Sequence, residues 1–319
     1  MASDVQSALG GVEADDLARQ RRKRRKGRRA PGEPRNVGWL YAGPGLAFFV
    51  LFTLVPLGHA AWISLFTWDG LTPQTWRGLG NYREALGDPL VHSAFLHALI
   101  LMIFYAVLPI LIGLALAGFL TRHPIRGFTF YRTALFLPQM IAGVVVAQAW
   151  TWLYNGNGPI NRVFDLVGLG SLRRAWLGDF SWVLPSVGVI GTWVSYGLCL
   201  VLFVAGVQKI DQSLYDAARV DGAGPFREFF AVTLPGLRNE LVVASVLTVI
   251  GALRGFDVIY NATGGGPGTQ TTVPAVLMYR NAFTYNRVGY AASIAVILAI
   301  AIVLVATLIS SLGSREVDT

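Results

Sequence analysis

The sequence predicts an all-α, polytopic membrane protein with six transmembrane helices. Of the 319 residues, 54% are hydrophobic and only 14% are charged, whereas a soluble domain of this length is normally about a quarter charged. Apolar runs of about 20 residues, each long enough to cross a bilayer as a helix, recur along the chain. These observations disfavour the alternative of a very apolar soluble α/β enzyme.

Six apolar runs, bounded by polar or Gly/Pro-rich breaks, give the predicted spans. They cover residues 40–66, 95–120, 131–154, 183–206, 241–261 and 289–312. Prolines lie within or beside several of these runs, at Pro44, Pro56, Pro109, Pro138 and Pro185. Because membrane helices accept proline where neighbouring groups satisfy the freed carbonyls, we expect kinked helices in a bundle.

A basic segment precedes the first run and predicts the orientation. Ten of the 26 Lys+Arg residues lie between Arg19 and Arg35. Such a run binds nucleic acid in some proteins, but the apolar run that follows almost at once favours a cytoplasmic tail, and we expect no nucleic-acid partner. The run from about Trp39 to Phe66 is too long for a signal peptide, whose apolar core has about 7–15 residues, so we expect it to stay uncleaved.

With the N-terminus inside, the segments between spans alternate in location. The cytoplasmic segments are then 1–39, 121–130, 207–240 and 313–319, and the outer segments are 67–94, 155–182 and 262–288. Most of the basic residues fall on the cytoplasmic side, as the positive-inside rule requires.

Several kinds of site are excluded by composition. The one cysteine, Cys199, has no partner for an internal disulfide or a CxxC site, and the four histidines are dispersed without metal-ligand spacing. The sequence has no GxxxxGK[ST] phosphate loop, and the glycine-rich segment ATGGGPGTQTT is interpreted as a turn. We therefore expect no cofactor in this chain.

The longest inner segment contains DAARVDGAGPFREFFAVTLP and predicts two short helices. Ser213-Leu214-Tyr215-Asp216 has the form of a capping box that starts the first helix. Gly222 permits the left-handed backbone that ends it, Gly224 gives a second bend, and Pro225 suits the first turn of the second helix.

The predicted second helix has an apolar and a polar face. The apolar residues are Phe226, Phe229, Phe230 and Val232. The polar face of the segment carries Arg219, Asp221, Arg227 and Glu228. From these features alone two interpretations stay open: a hairpin that lies on the membrane without a partner, and a rigid docking element.

The same stretch resembles the EAA loop of binding-protein-dependent ABC importer permeases, with the pattern E-A-A-x-x-x-G, nine residues, then I-x-L-P. Asp216 stands where the family favours Glu, and Val232 where it favours Ile. In that family the loop is a coupling helix that sits in a groove of the ATPase subunit. The docking residues implied here are Asp216, Ala217, Ala218, Arg219, Asp221, Gly222, Ala223, Phe226, Leu234 and Pro235.

A second resemblance narrows the class to the carbohydrate branch of these permeases, which includes permeases for maltose-type oligosaccharides, lactose and glycerol-3-phosphate. Its motifs appear in order as FDVIY at 256–260, TGGGP at 263–267, YRNAF at 279–283 and GYAA at 289–292. The resemblance implies a type I importer permease with a MetI-like fold. The implied regions are a disordered basic tail at 1–38, a first transmembrane helix with its outer loop at 39–92, a permease core at 93–312 with the coupling loop at 207–240, and a C-terminal tail at 313–319.

The resemblance also implies partners and a location. The chain would pair with a second homologous permease, with an ATPase dimer that binds ATP and Mg, and with an extracytoplasmic sugar-binding protein or lipoprotein. It would be a multi-pass protein of the bacterial cell membrane with both termini in the cytoplasm, and it would not itself be an enzyme. The alternatives are a permease for glycerol-3-phosphate or another polyol, an ion-coupled secondary transporter, and a membrane enzyme.

Polar and aromatic residues within the spans are candidates for the substrate pathway. They are Gln139, Gln148, Trp193, Tyr196, Arg254, Asp257 and Asn261. Arg254 and Asp257 are three residues apart, so on one helix they would share a face and pair. The alternatives are polar packing between helices and a structural ion pair that fixes the helix to a partner permease.

Overall fold

A computed structural model of the chain describes residues 37–122 and 127–314. The expected basic tail therefore lies outside the described residues, apart from its last two positions, as does most of the expected C-terminal tail. The chain forms two units, Met1–Gly58 and His59–Thr319.

The first unit contains the start of the first long helix. Helix α1 (Val37–Phe49) continues through a π-helical turn (Val50–Leu54) into α2 (Val55–Ile63). Residues Tyr41–Ile63 are long and apolar enough to cross a membrane, in agreement with the predicted first span.

Among the described residues of the second unit the regular structure is helical except for one short hairpin, in which β1 (Phe66–Thr67) pairs antiparallel with β2 (Thr75–Trp76). Its helices are, in chain order, α3 (Gly80–Gly87), α4 (Pro89–Met102), α5 (Leu108–Arg122), α6 (Phe128–Met140), α7 (Gly143–Leu153), α8 (Pro159–Leu166), α9 (Val183–Val207), α10 (Gln212–Val220), α11 (Pro225–Glu228), α12 (Leu234–Gly236), α13 (Arg238–Leu253), α14 (Asp257–Thr263), α15 (Pro274–Tyr279) and α16 (Val288–Ser314). A 3₁₀ turn covers Gly170–Leu172, and π-helical turns cover Ile103–Val107, Phe229–Thr233 and Arg280–Thr284.

In the described part of the chain, five helices are long and apolar enough to cross a membrane, or six if one bent pair counts as a span. The bent pair is α6 and α7, which meet at 95°, so the predicted span at 131–154 consists of two helices with a sharp break between them. The helix stops because Ile141 and Ala142 have extended backbone. The bend brings Gly143 against α14, where a Cβ on Gly143 would lie 2.8 Å from the Cβ of Asp257.

The core lies around α9, which packs closely against its neighbours because glycines line its surface. A Cβ added at Gly188 or Gly191 would overlap the rings of Phe104 and Tyr105 on the π-helical turn after α4. On the same turn, the carbonyl of Phe104 accepts a hydrogen bond from Thr192 Oγ1 at 2.6 Å. Backbone groups in a membrane must find partners within the protein, and this bond meets that requirement.

We predict that Gly191→Ala destabilises the protein and that Gly251→Ala does not. The methyl group at 191 would overlap the ring of Tyr105, whereas nothing lies within 4 Å of a Cβ at 251. Overpacking of this kind typically costs about 1–3 kcal/mol. The thermal unfolding midpoints of the two purified variants measure the difference, and equal midpoints would contradict the packing described for α9.

Candidate coupling loop and substrate pathway

The loop after α9 begins with a helix capped by Asp211. The Asp211 carboxylate accepts a hydrogen bond from the backbone N–H of Ser213 at 2.9 Å, and this bond lowers the pKa of Asp211. The predicted capping box that begins at Ser213 is therefore wrong, because Ser213 already lies in the first turn of α10. The carboxylate of Asp211, two residues before Ser213, satisfies the free backbone N–H at the start of the helix instead.

The predicted glycine turn is confirmed. Gly222 has φ +75°, and the backbone N–H of Ala223 donates to the carbonyl of Ala218 at 2.9 Å, as at many helix C-termini. Pro225 then occupies the first turn of α11, which continues through the π-helical turn into α12. The loop is thus a hairpin of two helices, hereafter the coupling hairpin (residues 211–236).

Two side-chain contacts hold the two halves of the coupling hairpin together. The hydroxyl groups of Tyr215 and Thr233, both buried, lie 3.2 Å apart. Arg219 Nε lies 3.4 Å from Glu228 Oε2. Glu228 was predicted on the exposed polar face, but only 6% of it is exposed, because it faces α10 and pairs with Arg219 there.

The surface of the coupling hairpin combines small and aromatic residues. Ala217, Gly222 and Pro235 are exposed, and Phe226 is 84% exposed. Phe229, by contrast, packs against Gly118 on α5, so the predicted apolar face is only partly buried. The remaining docking candidates are exposed at Asp216, Arg219 and Asp221 and half-buried at Ala218, Ala223 and Leu234.

The pathway candidates other than Arg254 lie on four neighbouring elements. Trp193 of α9 packs edge-on against Trp150 of α7 with ring centroids 5.7 Å apart, and Val258 of α14 joins the same apolar cluster. Gln148 and Asp257 are exposed on α7 and α14, which pack against each other. The half-buried candidates Gln139 and Tyr196 lie on α6 and α9, which also pack together.

The predicted ion pair between Arg254 and Asp257 is wrong. Arg254 caps the end of α13, and Asp257 is the first residue of α14, so the two do not share one helix. Among the described residues no ion pair joins them, and both are exposed. The Asn261 amide donates to the carbonyl of Asp257 at 2.7 Å, within its own helix.

An aromatic cluster beside Asp257 was missed by sequence reasoning. The rings of Phe256 and Tyr260 stack with centroids 4.9 Å apart, and Tyr279 packs against both. The four-residue spacing of Phe256 and Tyr260 was the available signal, since such residues share a helix face. Among the described residues no cluster of His, Cys, Asp or Glu is arranged to hold a metal ion.

These features define the class of protein, a multi-pass membrane protein, and comparisons with known proteins identify its family. The model of the family described as "binding-protein-dependent transport system inner membrane component" matches residues 109–316. The chain belongs to this family, as the sequence motifs predicted.

Several relatives support the assignment. The probable ABC transporter permease protein YurN of Bacillus subtilis is 37% identical, over 83% of this chain and 91% of its own length. The diacetylchitobiose uptake system permease protein NgcF of Streptomyces coelicolor is 30% identical, over 84% of this chain and 80% of its own length. A chain of a bacterial ABC transporter involved in alginate import has the same fold, with a TM-score of 0.71 at 22% identity over 87% of this chain and 96% of its own length.

We predict that Gly222→Val loosens the coupling hairpin and that Gly224→Val does not. Neither glycine has an atom within 4 Å of the position that a Cβ would take, so only backbone conformation differs. Gly222 has φ +75°, whereas Gly224 has φ −71° and ψ 171°, which valine adopts readily. The strain of a β-branched residue at positive φ is of order 1–3 kcal/mol.

Trypsin cleavage of the purified chain in detergent measures this difference, because Arg219 and Arg227 flank the turn and are exposed. Gly222→Val should be cleaved there several-fold faster than the wild type and Gly224→Val at the wild-type rate. Equal protection of the two variants would show that the turn does not set the stability of the hairpin.

Proposed function

We propose that this chain is the permease subunit of an ATP-driven ABC importer that moves a sugar or oligosaccharide into the cytoplasm by alternating access. The coupling hairpin, in a chain of this permease family, is the observation that carries the proposal. It is stiff, exposed and joined directly to two spans, which are the properties required to pass movement between an ATPase and a membrane pathway.

The proposed ATPase contact is the exposed part of the coupling hairpin. Ala217 has a small side chain and Gly222 has none, so an ATPase groove can approach the backbone closely, and Asp216 and Asp221 supply charge around them. The sequence has no phosphate loop of its own, so we assign ATP and Mg binding to a separate ATPase dimer.

The two spans that the hairpin joins pack against each other beside it, in a way that suits force transfer. A Cβ at Gly206, near the end of α9, would meet Leu237 at 2.5 Å and Glu240 at 2.8 Å, so α9 touches the start of α13. Lys209 Nζ also lies 2.9 Å from Glu240 Oε1. Displacement of the hairpin would move α13, whose other end carries Arg254 beside α14.

A sugar is the proposed substrate class. Among the relatives are permease proteins described for diacetylchitobiose uptake, multiple sugar-binding transport and lactose transport. Aromatic rings stack on sugar faces and polar side chains bind hydroxyl groups, and both kinds of side chain lie together where α7, α9 and α14 meet. Arg254 is the pathway residue that would suit an anionic substrate such as glycerol-3-phosphate.

The remaining proposed partners are a second permease and an extracytoplasmic binding protein or lipoprotein. The alginate transporter with the same fold has also been crystallised in complex with an alginate pentasaccharide-bound periplasmic protein. We place the chain in the bacterial cell membrane with both termini in the cytoplasm, in keeping with the positive-inside rule.

Reconstitution of the purified subunits in proteoliposomes tests the function. We expect uptake of a labelled oligosaccharide that requires ATP, the binding protein and the ATPase, and that continues after ion gradients are collapsed. Uptake that needs an ion gradient and no ATPase would instead establish a secondary transporter.

Cysteine labelling in intact cells tests the orientation. Ser213 and Leu71 are both exposed, and native Cys199 is fully buried and stays in place. An impermeant thiol reagent should label Leu71→Cys and leave Ser213→Cys unlabelled. Rapid labelling of Ser213→Cys from outside would show that the loop is extracytoplasmic. The proposed ATPase contact would then be wrong as well.

Neutralisation of Arg254 and Asp257 tests the pathway assignment. Because the two side chains do not pair, Arg254→Gln and Asp257→Asn should change substrate affinity independently, with a coupling energy below about 0.5 kcal/mol. Assembly with the partner permease should be retained in the single and double variants. Loss of assembly, or wild-type transport in all three, would contradict the pathway role.

A further inference from the structure

The segment between α7 and α9 lies at one surface of the membrane. It joins the end of the bent pair α6–α7 to the start of a span, so both of its ends are at the level where these elements leave the bilayer. Trp152 and Trp182 stand at these ends and are exposed. Tryptophan is enriched at membrane–water interfaces, which fits this position.

Helix α8, within this segment, is fixed to the protein along one side. Asn161 is 1% exposed, its amide donates to the carbonyl of Arg174 at 2.9 Å, and its Oδ1 accepts from Trp176 Nε1 at 2.9 Å. The ring of Phe164 stacks on Trp176 with centroids 5.9 Å apart. The orientation of the helix about its axis is thereby set.

A second side of α8 is apolar and uncovered. Val163, Leu166 and Val167, hereafter the α8 stripe, are 55%, 86% and 61% exposed. Beside Val163 a shallow apolar depression of about 220 Å³ is lined by the first residues of the helix and Phe164. When several large apolar side chains are exposed together on one face, that face usually contacts another molecule and not water.

The third side of α8 is charged. Asp165 lies about 160° around the helix axis from both Val163 and Val167, at 100° per residue. Its carboxylate pairs with Arg173, with Nη1 and Oδ2 3.1 Å apart. Arg162, also exposed, lies between the charged and apolar sides.

We propose that α8 is an interfacial anchor, with the α8 stripe inserted among lipid acyl chains and Asp165 turned to water. The occupant is lipid because the stripe continues the lipid-facing surface at the ends of two membrane-spanning elements, with a tryptophan at each end. A helix with one apolar and one charged side, placed at this depth, lies in the membrane plane. The proposal rests on the membrane spans assigned to this chain and not on the substrate class.

The anchor fixes the end of a helix next to the proposed pathway. Helix α7 ends five residues before α8 begins, and its start packs against Asp257 through Gly143. Insertion of the stripe would therefore hold α7 at a constant depth while the cytoplasmic hairpin moves.

Spin labels on single cysteines test the proposal in the full importer, reconstituted in liposomes with partner subunits that lack reactive cysteines. Native Cys199 is fully buried and stays in place. One labelled cysteine replaces Val163, Leu166, Val167 or Asp165 in each variant. Power saturation measures how often the label collides with oxygen, which partitions into lipid, and how often it collides with a water-soluble nickel complex. The three stripe positions guard against loss of one variant through misfolding.

The ratio of oxygen to nickel collisions should be several-fold higher at 163 and 167 than at 165, with 166 between or at the higher value. Equal, nickel-dominated collisions at all positions would place the helix in water and overturn the proposal. Protection of the stripe from both reagents would also overturn it, because a protein subunit and not lipid would then cover the stripe.

Discussion

Backbone polar groups within a bilayer have no water to bind, and this constraint governs the structure of the membrane-spanning helices. Long helices meet it along most of their length, and two departures from regular helix bring distant parts of the chain into close contact. Beside the π-helical turn at Ile103–Val107, Thr192 Oγ1 donates to the carbonyl of Phe104. The break at Ile141 and Ala142 permits the close approach of α7 to α14.

The coupling hairpin is held together by its own contacts. Its two helices are too short to be stable alone, so polar contacts between them add to the stability. Glu228 with Arg219, and Tyr215 with Thr233, are those contacts. Because both members of each pair lie in the hairpin, it can be displaced without being unfolded, as a coupling element must be.

Composition and local pattern predicted the parts of the structure that depend on local physics. Apolar runs predicted the spans, and Gly222 and Pro225 predicted the turn, because backbone conformation at these residues is set by the residues themselves. The N-cap of α10 was predicted at Ser213 instead of Asp211. Both residue types are good N-caps, and the residue at which the backbone becomes helical determines which one serves. The bend before Gly143, the break between Arg254 and Asp257, and the buried position of Glu228 depend on contacts with residues far along the chain or across the hairpin.

The central claim is that the exposed face of the coupling hairpin binds the ATPase. A photoreactive amino acid at Ala217, which is exposed on α10, tests it directly in the assembled importer, with the same residue at Leu71 in the β1–β2 hairpin as the control. Ultraviolet light should cross-link position 217 to the ATPase subunit and position 71 to none of it. An intact complex in which position 217 forms no adduct with the ATPase would contradict the account.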